Sequence, residues 1–227
     1  CDLKTLYPLA RSMNRKLEFY VGPTNSGKTY NAMKKLKEAN SGLYLAPLRL
    51  LALEGYEDLK ESNIDASLIT GEEQILNEEA AHICSTIEMI DFDLEVDVAI
   101  IDEVQMLEDI DRGWAWVNAI IGVPAKKVIM TGSVNALDAV KRIVQYLDEE
   151  LEVVRHKRKN PLLVLEKWTP LEKLENGTAL IAFSRAEVLK LKQKLQKKCV
   201  QYMVKTLRKV ILWGLHMICV KTLMKII

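Results

Sequence analysis

The sequence predicts an α/β fold built as a doubly wound parallel sheet, on three observations. Strand-length apolar runs alternate with longer stretches of helical composition from residue 17 to residue 146. The run 96–101, Val-Asp-Val-Ala-Ile-Ile, is almost wholly apolar and β-branched, as a central strand covered on both faces must be. A glycine-containing loop at 22–29 joins one such strand to a helix.

Taken in order, the first strand is expected over 17–21, a short apolar run, with the loop behind it and a helix over 28–38. A strand over 42–46 ends at Pro47, which cannot continue a ladder, and a helix follows over 49–63. Strands over 66–69 and 81–85, a short helix over 87–90 and the apolar strand 96–101 come next. A helix over 112–121 carries Trp114 and Trp116, of which at least one is expected to pack it onto the sheet rather than stack on a base. A strand over 127–131 and a helix over 135–146 close the alternation. The polar, then basic, stretch 148–160 reads as a solvated connector, with its cluster Arg155, Lys157, Arg158 and Lys159 giving a nucleic-acid contact as the alternative. A second α/β unit opens near Pro161, with strands over 162–166 and 179–183 and a helix over 185–197.

The octapeptide Gly22-Pro23-Thr24-Asn25-Ser26-Gly27-Lys28-Thr29 fits the phosphate-cradling pattern G-x-x-x-x-G-K-[ST] at every fixed position. Its glycines let the backbone curl so that successive N–H groups face phosphate oxygens, and the helix behind it adds its positive dipole end. Gly22, Thr24, Asn25, Ser26, Gly27, Lys28 and Thr29 are thus the expected triphosphate ligands. Lys28 would reach the β- and γ-phosphates, and the Thr29 hydroxyl would ligate Mg²⁺. The central strand ends in Asp102-Glu103-Val104-Gln105, where parallel sheets bind ligands. Asp102 is expected to hold Mg²⁺ beside Thr29, with Glu103 orienting or deprotonating the attacking water.

These motifs, with Ala46-Pro47-Leu48-Arg49-Leu50-Leu51-Ala52, Thr70-Gly71-Glu72-Glu73, Cys84-Ser85-Thr86-Ile87-Glu88-Met89 and the following Met106, resemble a superfamily 2 DExH-type RNA helicase. More narrowly, the set is similar to the RNA helicase of the mitochondrial RNA-degrading complex and its bacterial homologues. The resemblance runs from about residue 17 to residue 198. It implies an ATP- and Mg²⁺-dependent RNA helicase with a RecA-like P-loop domain over 1–155 and the start of a second RecA-like domain over 156–198. It implies RNA contacts at Pro47, Arg49, Thr70, Gly71 and Thr86, and at Ser184 and Arg185 in the second domain. Gln105 would sense the γ-phosphate, and Thr131 and Ser133 would couple hydrolysis to strand movement. Single-stranded or partly duplex RNA and a ribonuclease are the implied partners. The bacterial cytoplasm is the implied location, with the mitochondrial matrix as the alternative. Each contact motif has a structural competitor: Pro47 as a strand end, Arg49 as a surface charge, Thr70-Gly71 as a turn, Ser133 as a helix N-cap.

The 227-residue chain can hold one large domain and part of another. Cys1, Cys84, Cys199 and Cys219 have no metal-site spacing, and His82, His156 and His216 are scattered, so reduced thiols and no metal beyond Mg²⁺ are expected. No signal-peptide pattern opens the chain. Residues 199–227 hold five basic and no acidic side chains, which leaves 27 basic against 31 acidic residues in 1–198. An RNA-binding stripe is therefore expected to be local. The apolar run 210–220 is too short for a bilayer about 30 Å thick, so no membrane is expected. The tail reads either as a basic amphipathic helix or as a stretch outside the native reading frame, and the second reading is favoured because a shifted frame restores a family-like Tyr-Gly near residue 203. In the resembled family the second domain supplies arginines that close on the γ-phosphate, and neither Arg208 nor any other tail residue sits in such a motif, so a non-catalytic, nucleotide-gated RNA-binding module is the alternative function.

Overall fold

The computed structural model describes residues 2–158, 170–174, 178–181, 184–195, 216–219 and 224–226. They fall into two compact units, 1–158 and 159–227. The first is organised by eight strands: β1 (Lys16–Val21), β2 (Gly42–Ala46), β3 (Ala66–Ile69), β4 (Gln74–Ile75), β5 (His82–Thr86), β6 (Val96–Ile101), β7 (Ala125–Gly132) and β8 (Leu151–Arg155). Their order in the sheet is β4-β3-β5-β2-β6-β7-β1-β8. Every neighbouring pair is parallel except β3 and β4.

The two-residue period of the central strands sends side chains to both faces, and helices cover both. Leu43, Leu45, Ala99, Ile101, Val128 and Met130 lie in one apolar cluster, under α4 (Gly113–Gly122) and α5 (Leu137–Tyr146). Tyr44, Ala46, Val98, Ile100 and Ile129 lie in the other, under α2 (Lys28–Glu38) and α3 (Arg49–Glu61). Trp116, Leu36 and Leu59 are fully buried in these layers, each contributing about 1.5–3 kcal/mol of apolar transfer energy. Of the two tryptophans in α4, Trp116 packs onto the sheet and Trp114 is 56% exposed.

The segment before β1 locks α4 in place. It includes the short helix α1 (Pro8–Ser12) and buried Arg15. Arg15 donates to the Val123 and Ile120 carbonyls at 2.9 and 3.0 Å, and Arg11 to the Ile121 carbonyl at 2.8 Å. These are carbonyls that the end of a helix leaves without intrahelical partners. Glu149 pairs with Arg15 at 2.6 Å and with Arg11 at 3.3 Å, so the caps are also charge-compensated.

Three expectations change. The stretch 148–160 is not simply a connector, because Leu151–Arg155 pairs in parallel with β1 and closes the sheet edge. Its charged residues face outward from an edge strand, which masked the alternation of Leu151 and Val153 against the core. The expected helix at 87–90 is a single 3-10 turn, Ile87–Met89. The first unit runs to Arg158, three residues beyond the expected boundary.

In the second unit, β9 (Thr178–Ile181) pairs in parallel with β10 (His216–Cys219), and β11 (Met224–Ile226) pairs antiparallel to β10. These parts of the tail are strands, contrary to the helical alternative. Helix α6 (Arg185–Leu195) agrees with the expected helix, whereas the expected strand at 162–166 lies outside the described residues. Among the described residues, no helix is long and apolar enough to cross a membrane.

Candidate active site

The C-terminal ends of β1, β6 and β7 lie side by side, and each delivers one motif. From β1 the chain turns through 22–27 into α2, with Asn25 at φ 58° and Gly27 at φ 82°. Asn is among the few side chains that tolerate this left-handed region, and Gly27 adopts it without a Cβ clash. A loop turned in this way ahead of a helix N-terminus is the backbone arrangement that suits an anion. Lys28 is buried and donates to the Gly22 and Pro23 carbonyls at 2.8 and 2.7 Å, so its ammonium lies within the curl. Burial pulls its pKa below the ordinary lysine value, while the Glu103 and Asp102 charges pull the other way. Ser26 Oγ is buried without a hydrogen-bond partner, an unsatisfied group that a phosphate oxygen suits.

Asp102, buried at the tip of β6, gathers four donors. Tyr44 Oη donates to Oδ2 at 2.8 Å, and Oδ1 accepts from Thr29 Oγ1 at 3.3 Å, from the Glu103 N–H at 3.1 Å and from Thr131 Oγ1. Its own carbonyl accepts from Trp116 Nε1 at 2.8 Å, which ties the strand end to the core of α4. Thr29 and Asp102, the expected Mg²⁺ ligands, are thus already adjacent. A hydroxyl beside a carboxylate is the oxygen donor set that Mg²⁺ takes.

Glu103 sits at φ 55°, ψ 51°, a left-handed conformation that costs energy for a residue with a Cβ. Such strain persists where the surroundings over-determine it. Burial and the neighbouring Asp102 charge push its carboxyl up to about 7. Gln105 Nε2 donates to Glu103 Oε2, and Gln105 Oε1 accepts from the Ser133 N–H at 3.2 Å. Two links therefore run from the carboxylate pair to the end of β7: Asp102 to Thr131, and Glu103 through Gln105 to Ser133.

A family model described as the DEXQ-box helicase domain of Suv3 matches residues 4–156. The chain belongs to this family of Suv3-type DEXQ helicase domains. It is 39% identical over 196 residues to "ATP-dependent RNA helicase SUV3 homolog, mitochondrial" of Caenorhabditis elegans, a match covering 84% of this chain and 27% of that protein. It is 40% identical over 198 residues to "ATP-dependent RNA helicase SUV3, mitochondrial" of Saccharomyces cerevisiae, covering 84% and 27%. Against "ATP-dependent RNA helicase SUPV3L1, mitochondrial" of Homo sapiens the identity is 39% over 197 residues, covering 84% and 25%. The chain spans about a quarter of the length of these curated relatives.

The DEXQ box of this Suv3-type domain is Asp102-Glu103-Val104-Gln105, and the parallel sheet sets it after β6, with β7 between it and the phosphate loop that follows β1. The expected nucleic-acid contacts lie apart from it, along the ends of β2, β3 and β5. Arg49 is exposed and pairs with Glu72 at 2.6 Å and Glu73 at 2.9 Å. Gly71 is exposed and Thr86 is half-buried. Pro47 and Thr70 are the buried members of this set. Pro47 is buried with its carbonyl accepting from Arg112 Nη2 at 2.8 Å, and buried Thr70 uses its hydroxyl in a turn with the backbone of Glu73 at 2.9 and 3.0 Å. Ser184 is exposed and its Oγ accepts from the Glu187 N–H at 3.2 Å, while the side chain of Arg185 lies outside the described residues.

Sequence reasoning missed Tyr44, Trp116 as a partner of Asp102, and Arg112. Tyr44 carried a readable signal, a phenol in an otherwise aliphatic buried strand, which needs a polar partner. Arg112 also donates to Glu88 at 2.6 Å and lies over the Trp116 ring, so it joins the rim to α4. Cys84 is a free thiol, and burial pushes it up to about 12.

Proposed function

We propose that this chain is the nucleotide-binding part of an ATP-dependent RNA helicase motor, with RNA as the strand moved. The observation that carries the reading is the pair of links from Asp102 and Glu103 to Thr131 and Ser133, beside a loop whose lysine is held inside it. In this reading the loop and Lys28 bind the triphosphate, and Thr29 and Asp102 hold Mg²⁺, which neutralises phosphate charge when bound. Glu103, with a carboxyl poised near neutrality, accepts the proton of the attacking water. Gln105 changes partners as the γ-phosphate leaves, and Ser133 and Thr131 carry that change to the rim. Pro47, Arg49, Thr70, Gly71 and Thr86 then hold the RNA backbone, and within the second unit Ser184 and Arg185 are separate candidate RNA contacts.

The same reading takes residues 159–198 as the opening of a second RecA-like domain and the tail as out of frame, for which the encoding DNA is the check. The names of the relatives support a mitochondrial setting, and a ribonuclease partner follows from the reading of the family as part of an RNA-degrading machine. The test is phosphate release by this chain with MgATP, with and without single-stranded RNA. RNA-stimulated turnover lost in Lys28→Ala supports the motor. Nucleotide-dependent RNA binding without turnover would instead make the chain a nucleotide-gated RNA-binding module.

A further inference from the structure

The site so far accounts for the reacting end of a triphosphate and leaves its other end without a partner. Asp102 and Glu103 follow β6, and the loop follows β1, with β7 between them and β8 on the far side of β1. A triphosphate lying in the loop with its terminal phosphate toward β6 has its nucleoside end toward β8. There the chain leaving β8 runs against the loop: the His156 N–H donates to the Val21 carbonyl at 2.7 Å, and a Cβ on Gly22 would lie 2.5 Å from the His156 carbonyl oxygen.

Beside this crossing is an open pocket of about 300 Å³, lined by Tyr20, Asn31, Lys34, Lys35, Val154 and His156 among others. The His156 ring leans on the Tyr20 ring, centroids 5.1 Å apart at 37°. Its Nδ1 lies 3.3 Å from the Val154 carbonyl, which can only accept, so Nδ1 is the donor and Nε2 accepts from Asn31 Nδ2 at 3.0 Å. The imidazole is thereby held at both nitrogens, which fixes the plane it presents. Asn31 spends one N–H on this contact and retains a second N–H and its carbonyl oxygen.

We propose that His156 and Asn31 form the nucleobase subsite of this domain, with the imidazole as a stacking platform and the Asn31 amide addressing the base edge. The chemistry matches the ligand: a base has π faces for a ring and a mixed donor and acceptor edge for an amide. Lys34 and Lys35 on the same face of α2 supply donors for the ribose hydroxyls. This deepens the nucleotide reading of the loop and rests on it.

The experiment titrates the full chain with ATP and, separately, with inorganic tripolyphosphate, both with Mg²⁺, in wild type, His156→Ala, His156→Phe and Asn31→Ala. Loss of a base–ring stack weakens binding by about tenfold, so His156→Ala should weaken ATP by that factor and leave tripolyphosphate within about twofold. His156→Phe keeps a ring and should stay within about threefold of wild type for ATP. Asn31 is exposed on a helix, so its replacement by Ala keeps the fold and tests the subsite even if His156→Ala does not fold. Its expected loss is severalfold for ATP alone. Equal weakening of ATP and tripolyphosphate would show that these residues only shape the loop and would overturn the proposal, as would no change in either. A wild-type chain that binds neither ligand defeats the nucleotide reading itself, an outcome distinct from both.

Discussion

The buried carboxylate site and the exposed rim hold charges in opposite ways. Asp102 is buried and surrounded by Tyr44, Thr29, Thr131 and a backbone N–H, so its position is over-determined. Arg49 has two acidic partners, but its side chain is 47% exposed and theirs 76% and 38%, so water and salt compete for every contact. A site that must meet a phosphate in one geometry benefits from the first arrangement. A surface that must release and re-grip a backbone benefits from the second, because exposed ion pairs are worth only about 0–1 kcal/mol and exchange easily. Arg112 joins the two regions, its guanidinium donating to the Pro47 carbonyl and Glu88 and lying over the buried Trp116 ring.

If this contrast holds, the largest effect comes from Asp102→Ala, which strands the Tyr44 and Thr131 hydroxyls in the interior. A cost of about 3–5 kcal/mol is expected, a fall in Tm of roughly 10 °C. A thermal melt unchanged within about 2–3 °C would mean that the network does not anchor the strand end.

Thr131→Val removes one of the donors at nearly constant shape. It should cost about 1–3 kcal/mol in denaturant unfolding and slow any RNA-stimulated turnover more than it weakens nucleotide binding. A variant as stable and as active as wild type would remove Thr131 from the coupling path.

Glu103→Gln sharpens the contrast through pH. The Glu103 carboxyl is raised from its ordinary 4.5 to about 7. A raised acid favours folding below about 4.5 and gives up that stability as pH climbs through about 7. In metal-free protein the substitution should therefore stabilise by about 1–2 kcal/mol at pH 8 and by less at pH 5. The same gain at both pH values would show that the carboxyl is not perturbed.

Arg49→Ala is the smallest expected change in stability, under about 0.5 kcal/mol. It should still weaken RNA binding and lower the slope of log affinity against log salt by about one. A stability loss as large as that of Thr131→Val would erase the distinction between site and rim.

The phosphate loop and the DEXQ box were legible in the sequence because their chemistry depends on residues close together in the chain. Lys28 lies six residues after Gly22, and Gln105 two after Glu103. The partners that hold those groups were not legible, since Tyr44 and Thr131 reach Asp102 across 58 and 29 residues of chain. Strand β8 was hidden for another reason. On an edge, Glu152 and Arg155 keep their charges in water, so local composition resembled a loop while the pairing with β1 was set from afar. Pro47 and Thr70 show the converse. Their motif positions were readable, but only the fold reveals that one is capped by Arg112 and the other is spent on its own turn.

Calorimetric titration of MgATP into wild type and Lys28→Ala measures whether the Lys28 loop binds a triphosphate. One saturable site per chain in wild type, weakened by roughly 100-fold or more when the buried ammonium is removed, is the predicted result. Equal affinity in the two proteins, or no binding by wild type, would contradict it.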